Sequence, residues 1–317
     1  MTRRFISENV FLFPGQGCDP AGALLYLVNR TNSARTPALH EANLIIDQIG
    51  KTAAASGYGP EGAIREMLLR EAPANRFPYG ISQLAQFAAS VALTRYLACL
   101  NVRPSQVVGH SLGEYAALVC ADVFTADDGT RLICALNDAY SALVGKGGLV
   151  LLQASESVVR DLLDSVPGGD LAVACVNSTE QVVVSGPTSA IAALMALEGP
   201  AVPRRRVLPV PYPGHHPALG EAREGFLRSV KDVHQRRISV PVWSAVQHRV
   251  YTDADDLRVA LADGFTKPVY FSDAIKRLQT PGSRRRFIEV GVGASLKTCV
   301  RSLLRDAAVI SPLSSAR

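Results

Sequence analysis

The stretch VVGHSLGEYAAL (residues 107–118) decides how the chain folds. SQVVGH (105–110) is a short apolar run with the look of a buried strand, and a helical pattern begins at Ser111 or Leu112. Between them stands Gly-His-Ser-Leu-Gly, a GxSxG pentapeptide on a strand-to-helix junction, the context in which that pattern marks a nucleophile elbow. Gly109 and Gly113 leave room for a sharp turn and close packing. Such a turn lifts the Ser111 Oγ out of the sheet and sets it at a helix N-terminus, where free N–H groups favour developing negative charge. The Leu112 N–H can then donate to an oxyanion.

A serine hydroxyl needs a base near neutral pH. Among the six histidines, His110 adjoins Ser111, but its side chain is expected to point away along the elbow, as a packing residue. His215 and His216, in PVPYPGHHPAL (209–219), follow a strand end and precede a helix, on a loop stiffened by Pro211 and Pro213. His40, His234 and His248 read as surface residues. The histidines form no HExxH-like ligand set, and the six cysteines are scattered without a CxxC pair. No metal site and no bound cofactor are expected, and the cysteines read as reduced core residues.

Outward from the elbow, NVFLFPGQG (9–17) reads as a buried strand entering a glycine-rich turn, with a helix from about Ala21. Helical patterns follow near 38–50 and 61–71, over 81–100 with wide apolar coverage, and over 125–143. The texture then changes to strand candidates at 147–154, 170–177, 181–186 and 204–211, separated by helices near 156–165 and 187–197. That order is the signature of a ferredoxin-like unit. Beyond it come helices at 217–234, 254–264, 270–279 and 294–304, with strands at PVWSA and RFIEVG. The expected fold is α/β: a large domain over 1–144 and 208–317 with a parallel sheet and nucleophile elbow, interrupted by a small ferredoxin-like α+β subdomain over 145–207.

Composition is ordinary for a globular chain of 317 residues, 48% hydrophobic and 19% charged. No apolar run approaches the roughly 18–20 residues that span a bilayer, and VFLF is too short for a signal-peptide core, so a cytoplasmic protein without membrane contact is expected. The net charge of +5 gathers at 204–206, 236–237 and 284–286, which suits an acidic partner. With aromatics at only 6% and no recognition motif, nucleic acid is not expected.

Five stretches together resemble one family, the malonyl-CoA:acyl-carrier-protein transacylases and the acyltransferase domains of polyketide synthases. FLFPGQG (11–17) is similar to its N-terminal motif and GHSLGEYAAL (109–118) to its elbow. SQLAQFAASVAL (82–93), VNSTEQVVVSG (176–186) and RFIEVGVGASL (286–296) follow in family order. The resemblance implies ping-pong acyl transfer through an acyl-Ser111 ester, with His215 as general base and acid. It implies an oxyanion hole from the backbone N–H groups of Gln16 and Leu112, an active-site Gln83, and a backbone carbonyl, placed near Gly264, to orient the histidine. The substrates implied are acyl thioesters on phosphopantetheine, carried by an acidic carrier protein or by CoA. His215 rather than His216 falls under the family's histidine, and the specificity quartet reads Tyr212-Pro213-Gly214-His215, neither of the family's common forms. Arg204, Arg205 and Arg206 are expected to dock the carrier protein.

Malonyl-using members carry an arginine on the helix after the elbow, which pairs bidentately with the substrate carboxylate. In RLICALNDAY (131–140) its place falls to Leu136, while Asn137 and Asp138 read as surface residues. The expectation is therefore an uncharged acyl group: acetyl, a longer or branched chain, or an aminoacyl or peptidyl starter. A carrier-protein hydrolase using the same Ser111 and His215 is the alternative. An α/β-hydrolase esterase would place its last histidine later than His248, and a non-catalytic relative would not keep Ser111, His215, Gln16 and Gln83 together. A discrete, trans-acting monomer serving an assembly line is the expected form.

Overall fold

The computed structural model describes residues 8–29, 36–70, 76–166, 168–279 and 285–314. Arg284, in the last of the basic clusters noted above, lies outside them. The apolar run at the N-terminus forms β1 (Glu8–Phe13), whose last four residues are fully buried. It lies parallel between β2 (Gln106–Gly109) and β9 (Arg285–Glu289). With β7 (Val242–Ser244), β8 (Arg249–Val250) and β10 (Ala308–Ile310), the sheet runs β10-β9-β1-β2-β7-β8, parallel throughout except for the β7–β8 edge. β8 and β10 were not expected from the sequence. Each is two or three residues long, too short to show alternation.

The helices cover this sheet. α2 (Thr36–Ala55), α3 (Ala63–Leu69) and α6 (Ala126–Ser141) pack against α4 (Ile81–Cys99). α4 is buried nearly all round, as its apolar coverage predicts. A helix from Ala21 does not form; residues 21–24 are turn, with Gly22 at φ +68°, and only the short α1 (Leu25–Asn29) follows. α5 (Gly113–Cys120) springs directly from the elbow. After the small sheet come α9 (Gly220–Ser229), α10 (Leu257–Thr266), α11 (Phe271–Leu278) and α12 (Ser295–Leu303). Among the described residues no helix is long and apolar enough to cross a membrane.

The four strands expected around 147–211 form a second, antiparallel sheet. It contains β3 (Gly147–Leu152), β4 (Ala172–Ser178), β5 (Gln181–Pro187) and β6 (Arg205–Val207), ordered β4-β5-β3-β6. α7 (Glu156–Ser165) and α8 (Thr188–Ala196) are the crossovers, so this is a split-βαβ, ferredoxin-like unit. Strand alternation divides its two faces. Val150, Leu152, Val182 and Val184 join a small core with Val159 of α7 and Leu194 of α8, whereas Leu149, Leu151 and Val183 face the main core. β6 stops at Val207 instead of running to residue 211, because Pro209 and Pro211 have no N–H for the ladder.

Candidate active site

The C-terminal ends of β1, β2, β7 and β9 point to one edge of the parallel sheet, where open α/β folds bind their ligands. β2 ends at Gly109, and Ser111 takes φ +53°, a left-handed conformation that a residue with a Cβ adopts only under constraint. The glycines supply that constraint. A Cβ on Gly109 would lie 2.2 Å from the Glu114 Cα, and one on Gly113 would lie 2.0 Å from the Phe13 carbonyl oxygen. α5 is thereby pressed onto the ends of β1 and β2, with Leu112 as its N-cap residue.

His215 sits 104 residues on, yet its Nε2 lies 2.7 Å from Ser111 Oγ. It too has a positive φ, +58°, and its backbone N–H hydrogen-bonds the Tyr140 hydroxyl. The carbonyl expected at Gly264 is supplied chiefly by Lys267, 3.2 Å from Nδ1, with Gly264 as a second backbone acceptor beside the ring. Lys267 is the residue just past the end of α10, where the chain has turned extended. An Nδ1 proton directed at these carbonyls leaves Nε2 bare to accept the Ser111 proton. Burial, reinforced by the neighbouring His110, lowers the His215 pKa to about 4, so the ring is a neutral base at physiological pH.

Gln16 lies on the loop after β1, and its side chain accepts a hydrogen bond from the Tyr212 hydroxyl. The backbone N–H groups of Gln16 and Leu112 have no backbone acceptor among the described residues and remain free to donate. Ser111, Leu112, Gln16, Leu136, Tyr212, Gly214 and His215 all line one cavity of about 280 Å³. Gln83 does not line it: Gln83 is buried on α4 and hydrogen-bonds the Tyr212 hydroxyl from behind the wall. His216 is also buried but turned away, its Nε2 3.5 Å from Asp170 Oδ1.

The basic triplet is divided by strand alternation. Arg206 is paired with Leu151 in the ladder and lines the cavity mouth, whereas Arg205, opposite Leu152, turns to the helix side. There its guanidinium donates to the carbonyls of Met195, Leu197 and Pro203, tying β6 to the end of α8. Arg204 is exposed. Asn137, expected at the surface, is fully buried and donates to the Gly80 carbonyl, because the helical period puts it on the same face as Ile133 and Tyr140. Asp138 is exposed and accepts from Tyr58.

Several site residues escaped the sequence reading. Tyr140 stacks between Tyr212, at 4.2 Å, and Phe265, at 4.8 Å, giving the cavity an aromatic wall. His110, expected to point away, also lines the cavity, and its Nε2 lies 2.7 Å from Asn177 Oδ1 of β4, tying the elbow to the small sheet. Glu114 is buried under the elbow, accepts the Ser244 and Tyr251 hydroxyls, and is pushed up by burial to about 7. Among the described residues no group of three or more His, Cys, Asp or Glu is placed to hold a metal ion.

A hydrogen-bonded Ser–His pair on an elbow, two free N–H groups and a cavity with an aromatic wall together suit acyl transfer through an acyl-serine. Residues 10–316 match the model of the acyl transferase domain, and the chain belongs to that family. It is 31% identical over 306 residues to the erythronolide synthase EryA3 of Saccharopolyspora erythraea, covering 96% of this chain and 9% of that protein. It is also 31% identical over 307 residues to the polyketide biosynthesis protein ThaF of Burkholderia thailandensis, covering 94% of this chain and 24% of ThaF. The chain thus spans a small part of these relatives. The acyltransferase domain from the second module of the salinomycin polyketide synthase has the same fold, with a TM-score of 0.81 at 30% identity over 98% of this chain and 70% of that one. A malonyl-CoA:acyl carrier protein transacylase from Xanthomonas oryzae matches with a TM-score of 0.81 at 27% identity, over 98% and 96% of the two chains. The chain is an acyltransferase of the Ser–His type.

Proposed function

We propose that this enzyme moves an uncharged acyl group, in the cytoplasm, from a thioester on a carrier protein or CoA to a carrier-protein phosphopantetheine thiol in natural-product biosynthesis. One observation carries the reading: Ser111 and His215, 2.7 Å apart, open onto a cavity whose wall at Leu136 is apolar. His215 Nε2 takes the Ser111 proton as Oγ attacks the thioester carbonyl. The N–H groups of Gln16 and Leu112 hold the oxyanion, and His215 returns the proton to the departing thiol. A second phosphopantetheine thiol, deprotonated by the same ring, attacks the acyl-Ser111 ester; the acyl–Oγ bond breaks as His215 returns the proton to Ser111 Oγ, and the new thioester leaves.

The acyl group is acetyl, a longer or branched chain, or an aminoacyl or peptidyl starter. Leu136 supports the lack of charge, and the Tyr140–Tyr212–Phe265 wall supports a chain that benefits from apolar contact. Arg204 and Arg206, with no carboxylate partner among the described residues, suit an acidic carrier protein. A groove beside the β4–β5 turn shares Gln181, Thr298 and Cys299 with the cavity and suits passage of the phosphopantetheine arm.

The test incubates the enzyme with carrier proteins bearing acetyl, butyryl, malonyl or alanyl thioesters and a second, free carrier protein, and follows intact masses. The reading expects an acyl-Ser111 adduct, absent from Ser111→Ala, and transfer to the second carrier faster than release of free acid. Free acid as the main product would make it a hydrolase.

A further inference from the structure

We propose that Tyr212 is a positioning residue for the oxyanion hole, holding the Gln16 backbone N–H in place through its hydroxyl. The inference rests on Ser111 being the nucleophile. The loop Pro14–Asp19 makes no backbone–backbone hydrogen bond among the described residues, although it must present an N–H to the reacting carbonyl. Contacts without directionality hold its ends. Pro14 packs where a Cβ on Gly291 would come within 2.5 Å, and Cys18 where a Cβ on Gly293 would come within 2.3 Å. Directional bonds come through side chains: at its far end the Ala21 N–H donates to Asp19 Oδ1, Cys18 meets the Ala294 backbone, and Gln86 Nε2 donates to the Cys18 carbonyl, while at Gln16 the Tyr212 hydroxyl donates to Oε1. A Cβ on Gly15 would come within 2.7 Å of the His110 carbonyl oxygen, so the loop packs on the elbow just before Gln16, while a Cβ on Gly17 would meet open space just after it.

Tyr212 is itself held rigidly. It is 3% exposed; the Tyr140 ring stacks on it at 4.2 Å with planes 18° apart, and Tyr79 meets it edge-on at 6.5 Å. Gln83 hydrogen-bonds the phenol oxygen from α4. A relay therefore runs from a buried helix through Gln83 and Tyr212 to Gln16. Because Tyr212 and His215 share one short loop, the base and an oxyanion donor are placed by the same segment. The hydroxyl is engaged with Gln16 and Gln83, so it acts through the loop rather than on the acyl chain.

Tyr212→Phe deletes only the hydroxyl and keeps the ring stack. The probes are p-nitrophenyl acetate, butyrate and octanoate, with Ser111→Ala as the baseline. Tyr212→Phe is expected to slow acylation of Ser111 by about tenfold or more while KM changes by less than about twofold, a loss confined to the transition state. Gln16→Ala, which keeps the backbone N–H, should show the same loss, and the double variant no further loss. Thermal melting of all three reports whether the fold is retained. Wild-type rates in Tyr212→Phe, a change in KM alone, or losses that multiply in the double variant would each overturn the proposal. If wild type releases no Ser111-dependent p-nitrophenolate from any ester, the nucleophile reading fails and the proposal with it.

Discussion

Replacing Leu136 by arginine tests substrate charge directly. Leu136 is 7% exposed and lines the cavity from α6. Arg131, upstream on the same helix, is exposed and paired with Asp128 at 3.0 Å, so it offers nothing to the cavity. The cation the cavity does meet, Arg206, comes from the small sheet and is exposed at the mouth. A malonyl carboxylate beside Leu136 would leave water without a partner, at a cost of about 3 kcal/mol, or roughly a hundredfold in rate. Leu136→Arg supplies a fork that a carboxylate can bind with two parallel hydrogen bonds. The assay compares rates of acyl-Ser111 formation with malonyl-CoA and acetyl-CoA by intact mass. Wild type should load malonyl about a hundredfold more slowly than acetyl, and the variant should raise the malonyl-to-acetyl ratio at least about tenfold. Equal loading of both by wild type, or an unchanged ratio in a folded variant, would refute the reasoning.

The acid limb of acylation should follow His215: with its pKa lowered to about 4, the base stays neutral as pH falls, so the rate should hold nearly level and halve only near pH 4. A pH–rate profile with a limb near the ordinary imidazole value would contradict this. Glu114, raised by burial from 4.5 to about 7, keeps its proton in the folded state where the unfolded chain has lost it, so the native state loses stability as pH rises through that interval. Glu114→Gln, which still accepts from Ser244 and Tyr251, should be more stable than wild type by about 1–3 kcal/mol at pH 8 and nearly equal to it at pH 4, measured by urea unfolding. Arg205→Ala should lower stability by about 1–2 kcal/mol without changing the apparent KM for carrier protein, while Arg206→Glu should raise that KM and weaken its salt dependence.

The elbow at Ser111 was legible because its strand, glycines and helix lie within a dozen residues; the choice of His215 over His216 and the proposed Gln16 donor rested on the family resemblance, since no local pattern singles them out. The cavity walls were not legible, because they form between segments far apart in sequence. His110 reads as a packing residue beside the elbow until Asn177 of β4 is seen against its ring. Two placements had signals in the sequence. Strand alternation separates Arg205 from Arg206, and the helical period sets Asn137 with Ile133 and Tyr140 on the buried side, so neighbours in sequence could not share one environment. Lys267 joins Gly264 beneath the ring because α10 ends between them, and a helix end is poorly fixed by pattern. β8 and β10 add short edges to a sheet whose inner order the apolar runs already announced.

The small sheet joins the large one covalently on both sides of residues 147–207, but it also has a third attachment. Val269 N–H donates to Ala174 O and Val176 N–H donates to Val269 O, each at 2.9 Å, so the edge of β4 continues into the segment that begins at Lys267. That same segment carries the carbonyl beneath His215. A body fastened along two opposite margins cannot swing open like a clamshell; it would have to tear two backbone bonds next to the histidine. The histidine's backbone partner and the edge of the small sheet are thus parts of one short stretch of chain, residues 267–269.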